Sequence, residues 1–212
     1  MRFMKRLFFF NLCMALLVAG CASPDRVGRA QVYDFGPGVL DAKDSPAGQP
    51  AIAPAVALAD MDAAAALDTT AVLYRLAYAD PQQPRAYAQA RWSMPPAQLL
   101  RQRLRDRLGR SRAVLNAGEV PPVGGRLLLR VELEEFSQVF DSPELSSGLV
   151  RLRATALQGS ARGDQLLGQR SVTVRRPAPT ADAGGGVRAL TSATDAAIEE
   201  VEQWLATLTR VP

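Results

Sequence analysis

The chain has 212 residues, with 25 basic and 21 acidic side chains and no histidine. Much of the positive excess lies in the first six residues, at Arg2, Lys5 and Arg6, so the remainder is nearly neutral and gives no electrostatic case for nucleic acid. With no histidine, and cysteine only at Cys13 and Cys21, there is no basis for Cys/His metal sites or for Ser–His or Cys–His nucleophile pairs.

Met1–Arg6 is basic, and Leu7–Ala19 is apolar except for Asn11. As a helix that run spans about 20 Å, short of the roughly 30 Å hydrocarbon core of a bilayer. Residues 1–20 therefore read as a signal peptide and not as a lasting membrane span. The run closes on Val18-Ala19-Gly20-Cys21, which resembles the bacterial lipobox. That resemblance implies cleavage before Cys21 and fatty acylation of its sulfur and of the new amine. Ala22 follows, where an Asp in lipoproteins marks retention at the inner membrane; the resemblance thus implies an outer-membrane anchor. Residues 21–30 then form a tether and 31–212 a single domain facing the periplasm. Cys13 leaves with the signal and Cys21 is no longer a thiol, so no disulfide is expected.

Gln31–Phe35 reads as a first strand closed by Gly36-Pro37-Gly38, and residues 41–50 as a loop. Ile52–Asp60 is apolar and broken by Pro54, which predicts an edge strand. Met61–Ala66 is Ala-rich and predicts a helical turn. Thr69–Tyr78 and Arg85–Trp92 form a predicted hairpin about ADPQQP, residues 79–84. Symmetric pairing would place Val72, Tyr74, Leu76 and Tyr78 on one face with Arg85, Tyr87, Gln89 and Arg91. Ala86, Ala88, Ala90 and Trp92 would form a low-relief face under a helix.

Ser93 is the expected cap of a helix that ends at Gly109. Leu100, Leu104 and Leu108 form its apolar stripe, with Ala97 and Leu99 beside them. Its arginines, at 101, 103, 105, 107 and 110, spread around the cylinder, which favours a solvated face over a lipid- or partner-binding stripe. Ser111–Leu115 is a short strand and Gly118–Gly125 a loop. Arg126–Phe140 is a long strand whose alternation slips at Glu134-Glu135, the mark of a bulge. Leu149–Leu157 and Leu166–Arg175 are further strands, with Arg151 and Arg153 set to pair with Glu132 or Glu134. Pro177–Gly186 reads as flexible. Val187–Leu208 is a helix with Leu190, Ala197, Val201, Trp204 and Leu208 on its buried stripe. The fold class is α+β: a mostly antiparallel sheet of about six or seven strands with two main helices.

Several segments taken together resemble a known family: the lipobox, Tyr33-Asp34-Phe35-Gly36-Pro37, Val72–Pro96, Arg130–Pro143, and a last helix with Trp204. They resemble the ABC-type transport auxiliary lipoproteins, a group that includes the paraquat-inducible lipoprotein and relatives of MCE-domain transporters. The most specific pieces are Tyr74-Arg75 and the Tyr87, Arg91, Trp92 group. The resemblance implies an outer-membrane lipoprotein that docks a periplasmic MCE-domain protein of an ABC lipid transporter. It implies no catalytic residue, no metal and no cofactor, and it leaves a homo-oligomer open. Two readings of Tyr74, Arg75, Tyr87, Arg91 and Trp92 also stay open: sheet and core packing, or a contact with the partner, since Tyr, Trp and Arg dominate interfaces. An alternative function is a carrier that holds a lipid or lipopolysaccharide acyl chain between sheet and helix.

Overall fold

The computed structural model describes residues 29–38, 53–119, 126–160 and 163–208. The expected signal peptide (residues 1–20), Cys21, most of the expected tether, the expected loop at 41–50 and most of Gly118–Gly125 lie outside these residues.

Strand β7 (Arg126–Phe140) is the axis of the sheet. Side chains alternate across a strand, so Leu127, Leu129, Val131 and Leu133 are buried while Arg130 and Glu132 are exposed. Pairing with the next strand shifts between Leu133 and Glu135. Beyond that shift Phe136 and Gln138 take over the buried face, as the slip in the sequence predicts. β8 (Ser146–Ser160) and β9 (Gly163–Pro177) continue as an antiparallel meander. Arg153 pairs with Glu134 across β7 and β8, one of the pairings the alternation anticipates.

The other edge of β7 departs from expectation. β2 (Val56–Leu58), β3 (Asp62–Ala63) and β4 (Ala71–Leu76) lie along it opposite residues 127–129, 132–133 and 138–140, and all three run parallel to it. β5 (Asp80–Trp92) pairs antiparallel with β4. β1 (Gln31–Tyr33) lies parallel on β5, and β6 (Val114–Asn116) parallel on β2. The sheet is therefore nine-stranded and mixed, with most pairings parallel, and not the mostly antiparallel sheet of six or seven strands expected. The 52–60 segment is also no edge strand. Its paired part, Val56–Leu58, is buried between β6 and β7. Pro54 precedes that part, so its missing N–H removes no ladder bond, and an apolar run without alternation suits a parallel strand covered on both faces. The expected helical turn falls one element later, as a 3-10 turn at Ala65–Leu67.

Two helices complete the α+β fold. Helix α1 (Pro96–Gly109) buries Ala97, Leu99, Leu100, Leu104 and Leu108. Ser93 does not cap it: Pro95 holds that position with no side-chain bond, and the Ser93 N–H goes to the Tyr33 carbonyl. Its arginines bind it to its neighbours. Arg103 makes a two-pronged contact with Asp195 (2.7 and 3.0 Å), Arg107 Nε donates to Glu202 (2.6 Å), and Arg101 pairs with Asp60 (3.3 Å).

Helix α2 (Ala183–Leu208) lies over β7, β8 and β9. It starts earlier than the periodicity suggests. Asp182 Oδ1 accepts the Gly185 N–H at 2.7 Å, which is an N-cap bond. The glycines after it mark close packing, not slackness: a Cβ on Gly186 would run into Gln138 of β7. On β8 the same approach requires Gly148, where a Cβ would sit 2.5 Å from the Leu190 nitrogen and 2.6 Å from the Ala189 carbonyl carbon. Backbone cannot yield as a side-chain tip does, so Gly148→Ala is expected to cost about 1–3 kcal/mol. Thermal denaturation of the purified protein checks this; an unchanged midpoint would mean that helix and sheet are not in contact there.

Candidate functional site

β4 and β5 carry the residues that the sequence singles out. Tyr74 pairs with Arg85 and Leu73 with Ala86, which keeps Tyr74 on the same face as Arg85 but lies four residues from the register that symmetry about ADPQQP would give. The ladder then shifts between Leu73 and Ala71, so that Ala71 faces Arg91. The reversal itself is tighter than ADPQQP suggests: Ala79 N–H donates to the Leu76 carbonyl, and Pro81 and Pro84 lie within β5. Because of the shift, Ala86 and Ala88 are exposed while Ala90 and Trp92 are buried. The continuous alanine face expected under a helix does not form.

The five candidate residues separate into three settings. Trp92 is only 2 % exposed and packs edge-on to Phe35 at 5.6 Å and against Phe136 at 5.5 Å. Tyr74 and Tyr87 lie together, ring centres 4.6 Å apart, with Phe140 at 5.9 Å from Tyr74. Arg91 joins them through the backbone, its Nη1 donating to the Tyr87 carbonyl (2.7 Å) and the Ala90 carbonyl (2.9 Å). Arg75 is the neighbour of Tyr74 on the strand and so points to the other face. There its Nη2 donates to Glu135 at 3.1 Å, and its Nη1 reaches the Pro81 and Gln82 carbonyls at 3.4 Å, which ties the hairpin tip to β7. Trp92 thus belongs to the core, the two tyrosines and Arg91 form a half-buried group, and Arg75 stands apart.

Sequence reasoning misses the polar partner of that group. Gln138 is 0 % exposed, yet its two amide atoms are both satisfied: Oε1 accepts from the Tyr87 hydroxyl (2.8 Å) and Nε2 donates to Ser146 Oγ (2.8 Å). The only signal is a glutamine at a core position after the bulge. The Tyr87 phenol is pushed up from 10.0, first by burial and then by Tyr74 and Asp182. Tyr87→Phe would leave the Gln138 oxygen buried without a donor, at a cost of about 1–3 kcal/mol. The sign of the pH effect follows from linkage. A phenol with a raised folded pKa supports the fold below its unfolded pKa, and that support is lost as pH rises above about 10. Stability should therefore fall with pH above that point, and Tyr87→Phe should flatten the fall; identical slopes in denaturant titrations would contradict this.

A second buried polar residue is Arg112, between α1 and β6. Among the described residues its Nε and Nη1 have no hydrogen-bond partner. Burial pulls its guanidinium pKa down, opposed by Glu202. Among the described residues no group of three or more Asp, Glu, Cys or His could hold a metal, and no helix is long and apolar enough to cross a membrane.

A protein-family model described as the ABC-type transport auxiliary lipoprotein component matches residues 39–202. The chain belongs to this family of auxiliary lipoproteins. That membership associates this auxiliary lipoprotein with an ABC transport system and with a membrane of the cell envelope. No curated relative matches the sequence. Solved structures share the fold. A DUF330 protein from Xanthomonas campestris is 20% identical, with a TM-score of 0.62 over 77% of this chain and 90% of that one. An uncharacterized protein is 13% identical, with a TM-score of 0.59 over 84% and 99%. A hypothetical protein from Chlamydia trachomatis is 8% identical, with a TM-score of 0.51 over 74% and 98%.

Proposed function

We propose that this auxiliary lipoprotein is a non-catalytic subunit of an ABC/MCE-type lipid transport system. In this reading Cys21 carries the acyl chains that hold it in the outer membrane, and the domain grips a periplasmic MCE-domain protein. It thereby supports lipid traffic across the envelope. The observation that carries the proposal is the family match across residues 39–202, which covers the whole of α1, most of α2 and all but the first strand. The carrier alternative is less favoured by the packing. It needs room between sheet and helix, but the helix backbone lies directly on Gly148 and the alanines at 86 and 88 face outward.

Copurification from detergent-solubilised membranes tests the role directly. Recovery of an MCE-domain protein is the expected result, and repeated recovery of the lipoprotein alone would overturn it. Within the domain we assign the partner contact to the Tyr74, Tyr87 and Arg91 group, with Arg75 on the opposite face of β4 and Trp92 in the core as scaffold residues. Arg91→Ala separates contact from scaffold. A drop of about tenfold or more in partner binding with a melting shift of only a few degrees marks a contact residue. Loss of stability with binding unchanged makes Arg91 a carbonyl clamp and nothing more.

A further inference from the structure

Three connections meet at one end of the sheet: the β4–β5 turn at residues 77–79, the β7–β8 turn at Asp141–Leu145, and the β9–α2 connection at residues 178–182. Backbone bonds hold them there. Ala77 N–H donates to the Phe140 carbonyl at 2.9 Å, and Ala178 N–H to the Ser146 carbonyl at 2.8 Å. Two of the connections present a large apolar side chain to solvent, Tyr78 at 49% exposure and Leu145 at 67%. Leu145 and Pro177 wall a shallow depression that Asp141 and Arg175 border. Charge at this end is mixed: Asp80, Asp141 and Glu144 accompany Arg85, Arg175 and Arg176, and Arg175 is paired with Asp141 at 3.0 Å.

The described residues before β1 lead toward this same end. β1 runs parallel to β5, and β5 runs away from the β4–β5 turn, so Ala30 and Arg29 point back toward it. From Cys21 to Arg29 the backbone can span at most about 30 Å, at roughly 3.3–3.6 Å per residue. The β8–β9 turn lies at the opposite end of strands 15 residues long, about 50 Å away at ~3.3 Å per residue. β1 itself lies nearer the β7–β8 turn, because Ala90 beside it sits next to Arg91 opposite Ala71, three residues before the Tyr74–Gln138 pair; a tether that continues in the direction of Ala30 and Arg29 brings the anchor to that end.

We infer that the end bearing Tyr78 and Leu145 rests on the bilayer that holds the acyl chains, with those two side chains at the boundary between headgroups and hydrocarbon. The inference rests on the lipid-anchor reading of Cys21. An amphipathic tyrosine and a leucine suit that boundary, where one side is wet and the other apolar. The mixed charge means that zwitterionic lipid suffices. The β8–β9 end, with Leu166 also exposed, then projects away from the membrane.

The test uses the full lipidated protein in phosphatidylcholine vesicles. Signal cleavage removes Cys13 and acylation occupies Cys21, so a cysteine introduced by Tyr78→Cys, Leu145→Cys or Leu166→Cys is the one free thiol for an environment-sensitive fluorophore. A nitroxide quencher attached to lipid headgroups should reduce the signal at 78 and 145 by roughly twofold or more and leave 166 unaffected. Protein that floats with the vesicles but shows no quenching at 78 and 145, or equal quenching at all three, overturns the orientation and leaves the anchor intact. Protein that does not float overturns both.

Discussion

Replacing Trp92 by alanine is expected to remove about 3–5 kcal/mol of stability, the usual cost of emptying a buried aromatic site. The indole closes the cluster formed with Phe35 and Phe136, and so joins the segment after β1, the end of β5 and the middle of β7. No neighbour can move in without breaking one of these three attachments. The indole N–H meets no acceptor among the described residues, so its loss orphans no partner and the cost is one of packing. For a chain of this length the midpoint should fall by roughly 10 °C. Denaturant unfolding with an unchanged m-value checks it. A loss below about 1 kcal/mol would show that the aromatic cluster is not what joins β1, β5 and β7.

Cys21→Ser is expected to move the protein from the membrane fraction to the soluble fraction. Each buried methylene contributes about 0.8 kcal/mol, and two or more chains are needed for lasting attachment. Among the described residues the exposed large apolar side chains are Val32, Tyr78, Leu145, Leu166 and Leu167, spread over separate strands and turns. The variant should therefore retain the fold and lose the location, visible as an unchanged melting midpoint beside a changed flotation profile. Because cleavage before Cys21 rests on the same box, the variant is compared at mature length, without residues 1–20; such a variant that still floats would locate the attachment elsewhere in the chain.

The long elements were legible because each carries enough turns or alternations to declare its period. β7, its bulge, and the stripe Leu100, Leu104, Leu108 follow from spacing alone. The parallel edge was not. β2 and β3 are three and two residues long, too short to signal direction, and their places are set by which part of β7 is free. Pro81 and Pro84 read as a turn, yet they lie in β5 where, among the described residues, only β4 lies alongside, so the missing N–H groups can face outward. Gly184–Gly186 read as slack, but Asp182 caps them and Gln138 crowds them into helix. At the candidate site the residue types were legible and their grouping was not. A ladder shift between Ala71 and Leu73 decides that Trp92 turns inward while Ala86 and Ala88 turn outward.

The arrangement along β7 also dictates a sequence of events. β2, β3 and β4 occupy residues 56–76, and the edge that they join is not made until residues 126–140 have emerged. On the lipid-anchor reading the chain is exported N-terminus first, and until β7 has passed β2–β4 have only the pairings of β4 with β5 and of β2 with β6, which are marginal on their own. A chain halted after residue 125 should accordingly show no slowly exchanging amides in β2–β4, whereas the finished protein should protect them. Late completion leaves the leading half without its main sheet partner, and on the proposed lipid-anchor reading it would leave Cys21 open to modifying enzymes before the finished fold can shield it.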